Sequence, residues 1–238
     1  MRFFIEFAYK GTHYHGSQTQ PNGITVQSVM EDAFRTILRQ PVALTFAGRT
    51  DAGVHAEQMF AHFDLGTEPP SVSRLNRFLP MDIAVRRIYP VADDMHARFS
   101  AVSRTYEYRI TTRKDPFAYA TRTYVPVPLD YDLMNTAAQV LLGTHDFASF
   151  CKVHTDVKTT ICTISEAQWR TEDGGAVFAI TADRFLRNMV RAVVGTLFEV
   201  GRHKLSPQEF EAIIESRSRQ AAGQSAPPEG LFLTAVRY

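Results

Sequence analysis

The sequence predicts an α+β fold of two ferredoxin-like halves, each of the βαββαβ type, whose antiparallel sheets form a central cleft. Three observations predict it. Runs with a period of two alternate with runs of helical period along the 238 residues. The first hundred residues give the order strand, helix, strand, strand, helix, strand. A similar layout begins again after residue 102, with no visible repetition of sequence. The expected domains are therefore 1–102 and 103–238.

Phe3, Ile5, Phe7 and Tyr9 alternate with Arg2, Phe4, Glu6 and Ala8, a first strand with one firmly apolar face. The loop from Lys10 to Gly23 carries His13, Tyr14, His15, Gln18 and Gln20, stacking surfaces and hydrogen-bonding groups that suit bases and phosphates. Thr25 caps a helix in which Val26, Val29, Met30, Ala33, Phe34, Ile37 and Leu38 keep the helical period until Pro41 ends it. Val42 to Ala47 reads as a buried strand. Met59, Ala61, Phe63 and Leu65 alternate with Gln58, Phe60, His62 and Asp64 in another. Pro69-Pro70-Ser71 opens a short helix with Leu75, Phe78 and Leu79, and Ile83 to Val91 reads as a strand.

In the second half, Arg104 to Thr111 alternates with Tyr106, Tyr108 and Ile110 on one face. Asp130 caps a helix carrying Leu133, Met134, Ala137, Ala138, Leu141 and Leu142, stopped by Gly143. Thr159 to Trp169 and Ala176 to Asp183 form a hairpin across Asp173-Gly174-Gly175. The most regular helix buries Phe185, Leu186, Met189, Val190, Val193, Val194, Leu197 and Phe198, with Arg184 and Arg187 in its first turn. Ser206-Pro207-Gln208-Glu209 is a capping box for a further helix. A polar connection from Ser216 to Gly230 leads to a closing strand, Leu231 to Tyr238.

Composition excludes several classes. A hydrophobic share of 45% and a charged share of 21% are those of a globular protein. No apolar run approaches the roughly 20 residues of a bilayer helix, and Glu6 comes too early for a signal peptide, so the expected location is cytoplasmic. Cys151 and Cys162 lack Cys-x-x-Cys spacing and no His-Glu-x-x-His is present, so no disulfide framework or zinc site is signalled. A net charge of +1 means that any polyanion must meet a local basic patch. The segment from 184 to 204 is the candidate, with Arg184, Arg187, Arg191, Arg202 and Lys204 against Glu199 alone.

The chemistry concentrates in Phe46 to His55, where a carboxylate and a cation lie between two glycines on a strand-flanked loop. Gly48 and Gly53 allow positive φ or the close approach of another backbone. Arg49 and Asp51, two residues apart, leave the same face of an extended backbone, where the cation keeps the carboxylate ionised and fit to act as a nucleophile. The competing reading is an Asx-turn at Asp51 with a solvated Arg49. Cations in a helix's first turn are disfavoured by the macrodipole, so Arg184 and Arg187 call for an anion: Asp183 with solvent, a phosphate, or the Asp51 carboxylate.

Gly48-Arg49-Thr50-Asp51-Ala52-Gly53-Val54-His55 resembles the active-site motif of the TruA family of tRNA pseudouridine synthases. Phe185 to Arg191 resembles a second motif of that family, Phe99-Ser100-Ala101 through Arg104-Thr105-Tyr106 a third, and Glu229 to Leu233 a fourth. The resemblance implies the pseudouridine synthase fold and conversion of uridine to pseudouridine at positions 38, 39 and 40 of the tRNA anticodon stem-loop. It implies no cofactor or metal, and a homodimer. It makes Asp51 the catalytic nucleophile, Arg191 its cationic partner, Tyr106 the ring stacked on the target base and Leu231 the floor beneath the uracil. Arg49, His55 and Arg187 join the substrate-binding set. Two departures stand out: Gly16-Ser17-Gln18 where the family usually shows Gly-Trp-Gln, and Arg187 where an aromatic residue or histidine is more usual. Asp51 attacks either C6 of the base or C1′ of the ribose. A non-catalytic RNA-binding protein of the same layout, and an aspartate-nucleophile hydrolase of a small substrate, are the alternatives.

Overall fold

The computed structural model describes residues 1–152 and 158–238. In chain order the regular elements are β1 (Arg2–Tyr9), α1 (Val26–Leu38), β2 (Thr45–Phe46), β3 (His55–Asp64), α2 (Val72–Phe78), β4 (Ile83–Val91), β5 (Ser103–Thr111), β6 (Thr123–Tyr124), α3 (Tyr131–Ala138), β7 (Gly143–Asp146), β8 (Ile161–Glu172), β9 (Gly175–Ala182), α4 (Met189–Gly201), α5 (Pro207–Ser216) and β10 (Leu231–Arg237). This is the expected α+β class with mostly antiparallel pairing. No helix among the described residues is long and apolar enough to cross a membrane.

The chain divides into two units, Met1–Val102 with Leu233–Tyr238, and Ser103–Phe232. The last six residues thus join the first unit, whereas the sequence reading kept all of 103–238 together. The reason is packing. β10 lies beside β3, Val102 N–H donates to the Arg237 carbonyl at 2.8 Å, and the Tyr238 ring meets Phe4 at 5.0 Å and Phe60 at 5.3 Å.

In the first unit β1 is central to an antiparallel set, pairing Phe3 with Phe63 on one side and with Pro90 on the other. The alternation in β1 and β3 is not apolar-in, polar-out. Phe3, Ile5, Phe7, Met59 and Phe63 are buried, and so are Phe4, Glu6, Phe60 and His62. Both faces are covered: α1 sends Phe34 to 5.0 Å from Phe63 on one, and the C-terminal Tyr238 closes the other. Glu6 is paired inside with Arg87 and with Gln58, whose amide donates at 3.0 Å and whose carbonyl accepts the Val236 N–H at 3.1 Å. Thr25 caps α1 with Ser28 as reciprocal partner, and Ser71 caps α2.

In the second unit β5 pairs with β9, β9 with β8, and β8 with β7, all antiparallel, while the short β6 adds to β5 in parallel. Trp169 on β8 lies 5.2 Å from Phe178 on β9 and 5.9 Å from Phe198 on α4. Asn135 on α3 grips the Trp169 backbone in both directions, at 3.1 and 2.7 Å. Cys151 and Cys162 are buried free thiols, and burial pushes Cys162 up to about 12.

Three elements differ from expectation. The Val42 to Ala47 strand is regular only over Thr45–Phe46, although Val42, Leu44 and Phe46 are buried in alternation. The helix after Asp130 ends as α-helix at Ala138 and tightens into a 3-10 turn over Gln139–Leu141 before Gly143, at φ 92°, starts β7. The helix expected from Arg184 begins at Met189 instead, because Asn188 sits in the left-handed region at φ 67° and breaks the helical path.

Candidate active site

Arg49, Asp51 and His55 belong to the first unit; Tyr106, Arg187, Arg191 and Leu231 belong to the second. The first group sits on the turn between β2 and β3. Its anchor is Thr50, which is 8% exposed. The Thr50 N–H donates to Ser17 Oγ at 2.8 Å, its carbonyl accepts the Ser17 N–H at 3.2 Å, and its hydroxyl meets Tyr9 Oη at 2.8 Å. With Thr50 turned inward, the neighbouring Arg49 is exposed and Asp51 half-buried. The turn closes through Val54 N–H to the Asp51 carbonyl at 3.2 Å, and Gly53, at φ 80°, donates to the Tyr14 carbonyl at 3.3 Å.

Two glycines outside the motif make this fit possible. A Cβ on Gly11 would lie 1.9 Å from the Val54 carbonyl oxygen, and one on Gly16 would lie 2.7 Å from that of Thr50. Gly48, by contrast, has nothing within 4 Å of where a Cβ would stand. His55 is 1% exposed and its Nδ1 accepts the Gly11 N–H at 2.9 Å. Tyr14 donates to Asp82 Oδ1 at 2.6 Å, and burial, then that carboxylate, raises its pKa.

The second group gathers around the segment before α4 and the connection that follows α5. Tyr106 on β5 meets the Phe185 ring edge-on at 5.1 Å. Arg184 and Arg187 are not in a helical turn, so the macrodipole argument for a compensating anion lapses. Asp183 Oδ1 accepts the N–H groups of Arg184 at 2.7 Å and Thr163 at 2.8 Å. Arg187 is exposed, and its carbonyl accepts the Lys152 N–H at 3.1 Å. Arg191 lies in the first turn of α4, with its Nε donating to the Ala226 carbonyl at 2.7 Å while its own carbonyl accepts the Ala226 N–H at 2.8 Å. Asn188 Nδ2 donates to Ser225 Oγ at 2.6 Å, and Arg219 donates to the same hydroxyl at 3.1 Å. Leu231 is 5% exposed, directly after the 3-10 turn Pro228–Gly230.

The expected basic patch is smaller than its residue count. Glu199 accepts from Arg202 at 2.8 Å and pairs with Lys204 at 3.1 Å, which leaves Arg184, Arg187 and Arg191 as the cluster near the start of α4. Sequence reading missed Ser17, Tyr9, Gly11, Asn188, Ser225 and Ala226. Only Ser17 carried a signal, its departure from the usual tryptophan.

An α+β protein with an arginine–aspartate turn between two strands and an arginine-lined helix start has the parts of an RNA-modifying synthase. The sequence matches the family model for tRNA pseudouridine synthase over residues 6–100 and 137–238. It is 54% identical over 244 residues to tRNA pseudouridine synthase A of Porphyromonas gingivalis, covering 100% of this chain and 97% of that protein. It is 54% identical over 242 residues to the Bacteroides fragilis protein of the same name (100% and 96% covered) and 38% identical over 241 residues to that of Staphylococcus aureus strain MRSA252 (99% and 91% covered). The chain belongs to the TruA family of tRNA pseudouridine synthases.

Proposed function

We propose that this isomerase converts uridine to pseudouridine in tRNA with Asp51 as its nucleophile, at positions 38, 39 and 40 of the anticodon stem-loop. The observation that carries the reading is the clamp on Thr50, which fixes the backbone of the turn from which the half-buried Asp51 projects. A nucleophile needs a fixed geometry more than a shifted pKa, and a turn held through one buried residue supplies it.

The target uridine must leave its stack, at a cost of a few kcal/mol. By the family resemblance Tyr106 lies against the freed base, Leu231 forms an apolar floor and Arg191 is the cationic partner of the catalytic aspartate. Arg49 and Arg187, both exposed, serve affinity through phosphates. His55 is buried with its Nδ1 committed to Gly11, so it supports the loop rather than touching substrate. Attack at C1′ displaces uracil N1 and leaves a ribosyl ester, which C5 of the turned uracil then displaces to free Asp51; attack at C6 gives an adduct in which the glycosidic bond breaks, the uracil turns and rejoins through C5, and Asp51 then leaves C6. In either case C5 loses its proton and N1 ends protonated, so the product is an isomer of the substrate.

The protein acts in the cytoplasm as a homodimer. An L-shaped RNA needs phosphate contacts far from the reacting nucleotide, and symmetric association roughly doubles the surface that one chain offers. Incubation with uridine-labelled tRNA followed by nucleoside analysis tests the chemistry. Asp51→Asn is expected to abolish turnover while tRNA affinity changes less than about threefold, since the amide keeps the shape without the nucleophile; comparable turnover by the variant ends the proposal. A light-scattering mass near the 26.8 kDa of one chain rules out the dimer.

A further inference from the structure

We propose that Phe99 is a stacking platform for the flat face of a tRNA base that lies outside the anticodon arm. Phe99 is 76% exposed, and a single exposed ring is ordinary. This one is mounted. Its ring lies 4.4 Å from that of His96 at an interplanar angle of 37°, and His96 in turn lies 4.5 Å from the His62 ring on β3. His62 is 6% exposed, so three rings form a ladder from the interior of the first unit to solvent.

The turn that carries the ladder is fixed along its backbone. His96 Nδ1 accepts the N–H groups of Arg98 at 3.1 Å and Phe99 at 3.3 Å, and His62 Nδ1 accepts that of Ala97 at 3.1 Å. The Ser100 hydroxyl accepts the His96 N–H at 2.9 Å, the Ser100 N–H returns to the His96 carbonyl at 2.9 Å, and Tyr238 Oη donates to the Ala97 carbonyl at 2.7 Å. A ring held this way surrenders little conformational freedom on binding.

Charge selects the occupant. The Arg98 guanidinium lies over the Phe99 ring, 5.7 Å from its centroid, and a base that stacks on this ring shares its cation–π field. Asp93, which accepts the Arg2 N–H at 3.2 Å, and the exposed Asp94 lie on the approach to the same turn. They repel phosphates, so the contact is made through a base face and not along the backbone. An apolar protein surface gains little from one ring between charges, whereas every base has a π-face and the family's substrate supplies many.

The platform is remote from the chemistry. His62 is seven residues along β3 from His55, which adjoins the Asp51 turn, and strands rise about 3.3 Å per residue, so the two lie roughly 23 Å apart along the strand. That span exceeds the reach of a nucleotide next to the reacting one. The inference rests on the tRNA substrate of the family and is independent of the role proposed for Asp51.

Equilibrium binding of full-length tRNA and of an isolated anticodon stem-loop to the intact protein tests it. Phe99→Ala and Phe99→Leu are expected to weaken full-length tRNA by about tenfold, the range that loss of one stacked base gives, and Phe99→Trp to retain or improve affinity. Stem-loop affinity and turnover at saturating tRNA stay within twofold. Full affinity in Phe99→Ala, or in Phe99→Leu, overturns the proposal, the second because an aliphatic contact then suffices. Equal weakening of tRNA and stem-loop overturns the remote placement. A fall in light-scattering mass in Phe99→Ala without the aromatic ranking overturns it in favour of a contact between copies of the chain.

Discussion

The Asp51 turn and the Arg191 segment are held by opposite strategies. The turn is gripped from beneath: Ser17, Tyr9 and Gly11 reach Thr50, Val54 and His55 through buried hydrogen bonds and a backbone contact that only glycine permits. The Arg191 segment is laced from the side, with Asn188, Arg191 and Arg219 all tied to the stretch Ala222–Ala226. In one case the hydrogen bonds that hold the turn run through Thr50, Val54 and His55, the residues around the functional one. In the other the functional side chain is itself one of the ties. The difference teaches that the turn tolerates changes at its exposed positions without moving, whereas any change at 191 alters the geometry and the charge together.

After the loss of turnover in Asp51→Asn, the largest effect expected is from Arg191→Met, which removes the guanidinium and its bond to the Ala226 carbonyl at once. Turnover should fall by about a hundredfold or more, the scale of losing one preorganised electrostatic group, and wild-type turnover in a single-turnover assay breaks the proposed pairing. Gly11→Ala comes next. Its Cβ would stand 1.9 Å from the Val54 carbonyl, and with backbone as the obstacle the unit should lose about 3 kcal/mol, read by urea unfolding; a loss below about 1 kcal/mol shows that the grip on the turn is loose.

A smaller effect compares like with like. Ser17→Ala strips the buried Thr50 N–H of its acceptor and should cost about 1–3 kcal/mol, with kcat reduced and KM little changed. Asn188→Gly keeps the left-handed conformation but loses the bond to Ser225, and should cost about 1 kcal/mol. If Asn188→Gly impairs turnover more than Ser17→Ala, the lateral tie matters more than the grip from beneath.

The smallest at neutral pH is an effect away from both regions, which emerges only as pH falls. Burial first, then the Arg2 charge and His96, push the His62 pKa down to about 4. An unfolded histidine titrates near 6.5, so between those values the unfolded chain binds a proton that the folded one refuses. The stabilisation is therefore complete above about pH 7, declines as pH falls toward 4 by about 3 kcal/mol, and flattens below. His62→Gln should remove that slope from thermal melts between pH 7 and 4.5; an unchanged slope assigns it elsewhere.

What was legible in the sequence follows from what each signal reports. Thr25, Ser71, Asp130 and Ser206 were readable as caps because each bonds a backbone N–H three residues on, inside any reading window. Helical periodicity at 186, 189, 190, 193 and 194 was also read correctly as burial, but burial does not require helical hydrogen bonds. Asp183 was read as one possible anion for a helical turn at Arg184; its carboxylate does accept that N–H and the N–H of Thr163 on β8, but no helix starts there. The both-sided burial of β1 and β3 was hidden because the cover is Tyr238, at the other end of the chain. The polar stretch 216–230 held no local sign that Ser225 and Ala226 anchor α4.

The return of the last six residues to the first unit also sets a timetable for its birth on the ribosome. Residues 1–102 emerge early, yet the strand that flanks β3 and the Tyr238 ring that covers Phe4 and Phe60 are made last. At about 5–20 residues per second, the intervening stretch takes roughly 7 to 26 seconds to synthesise. For that interval the nascent first unit carries an unfinished sheet edge and uncovered aromatic rings, which makes it a client for whatever holds nascent chains apart.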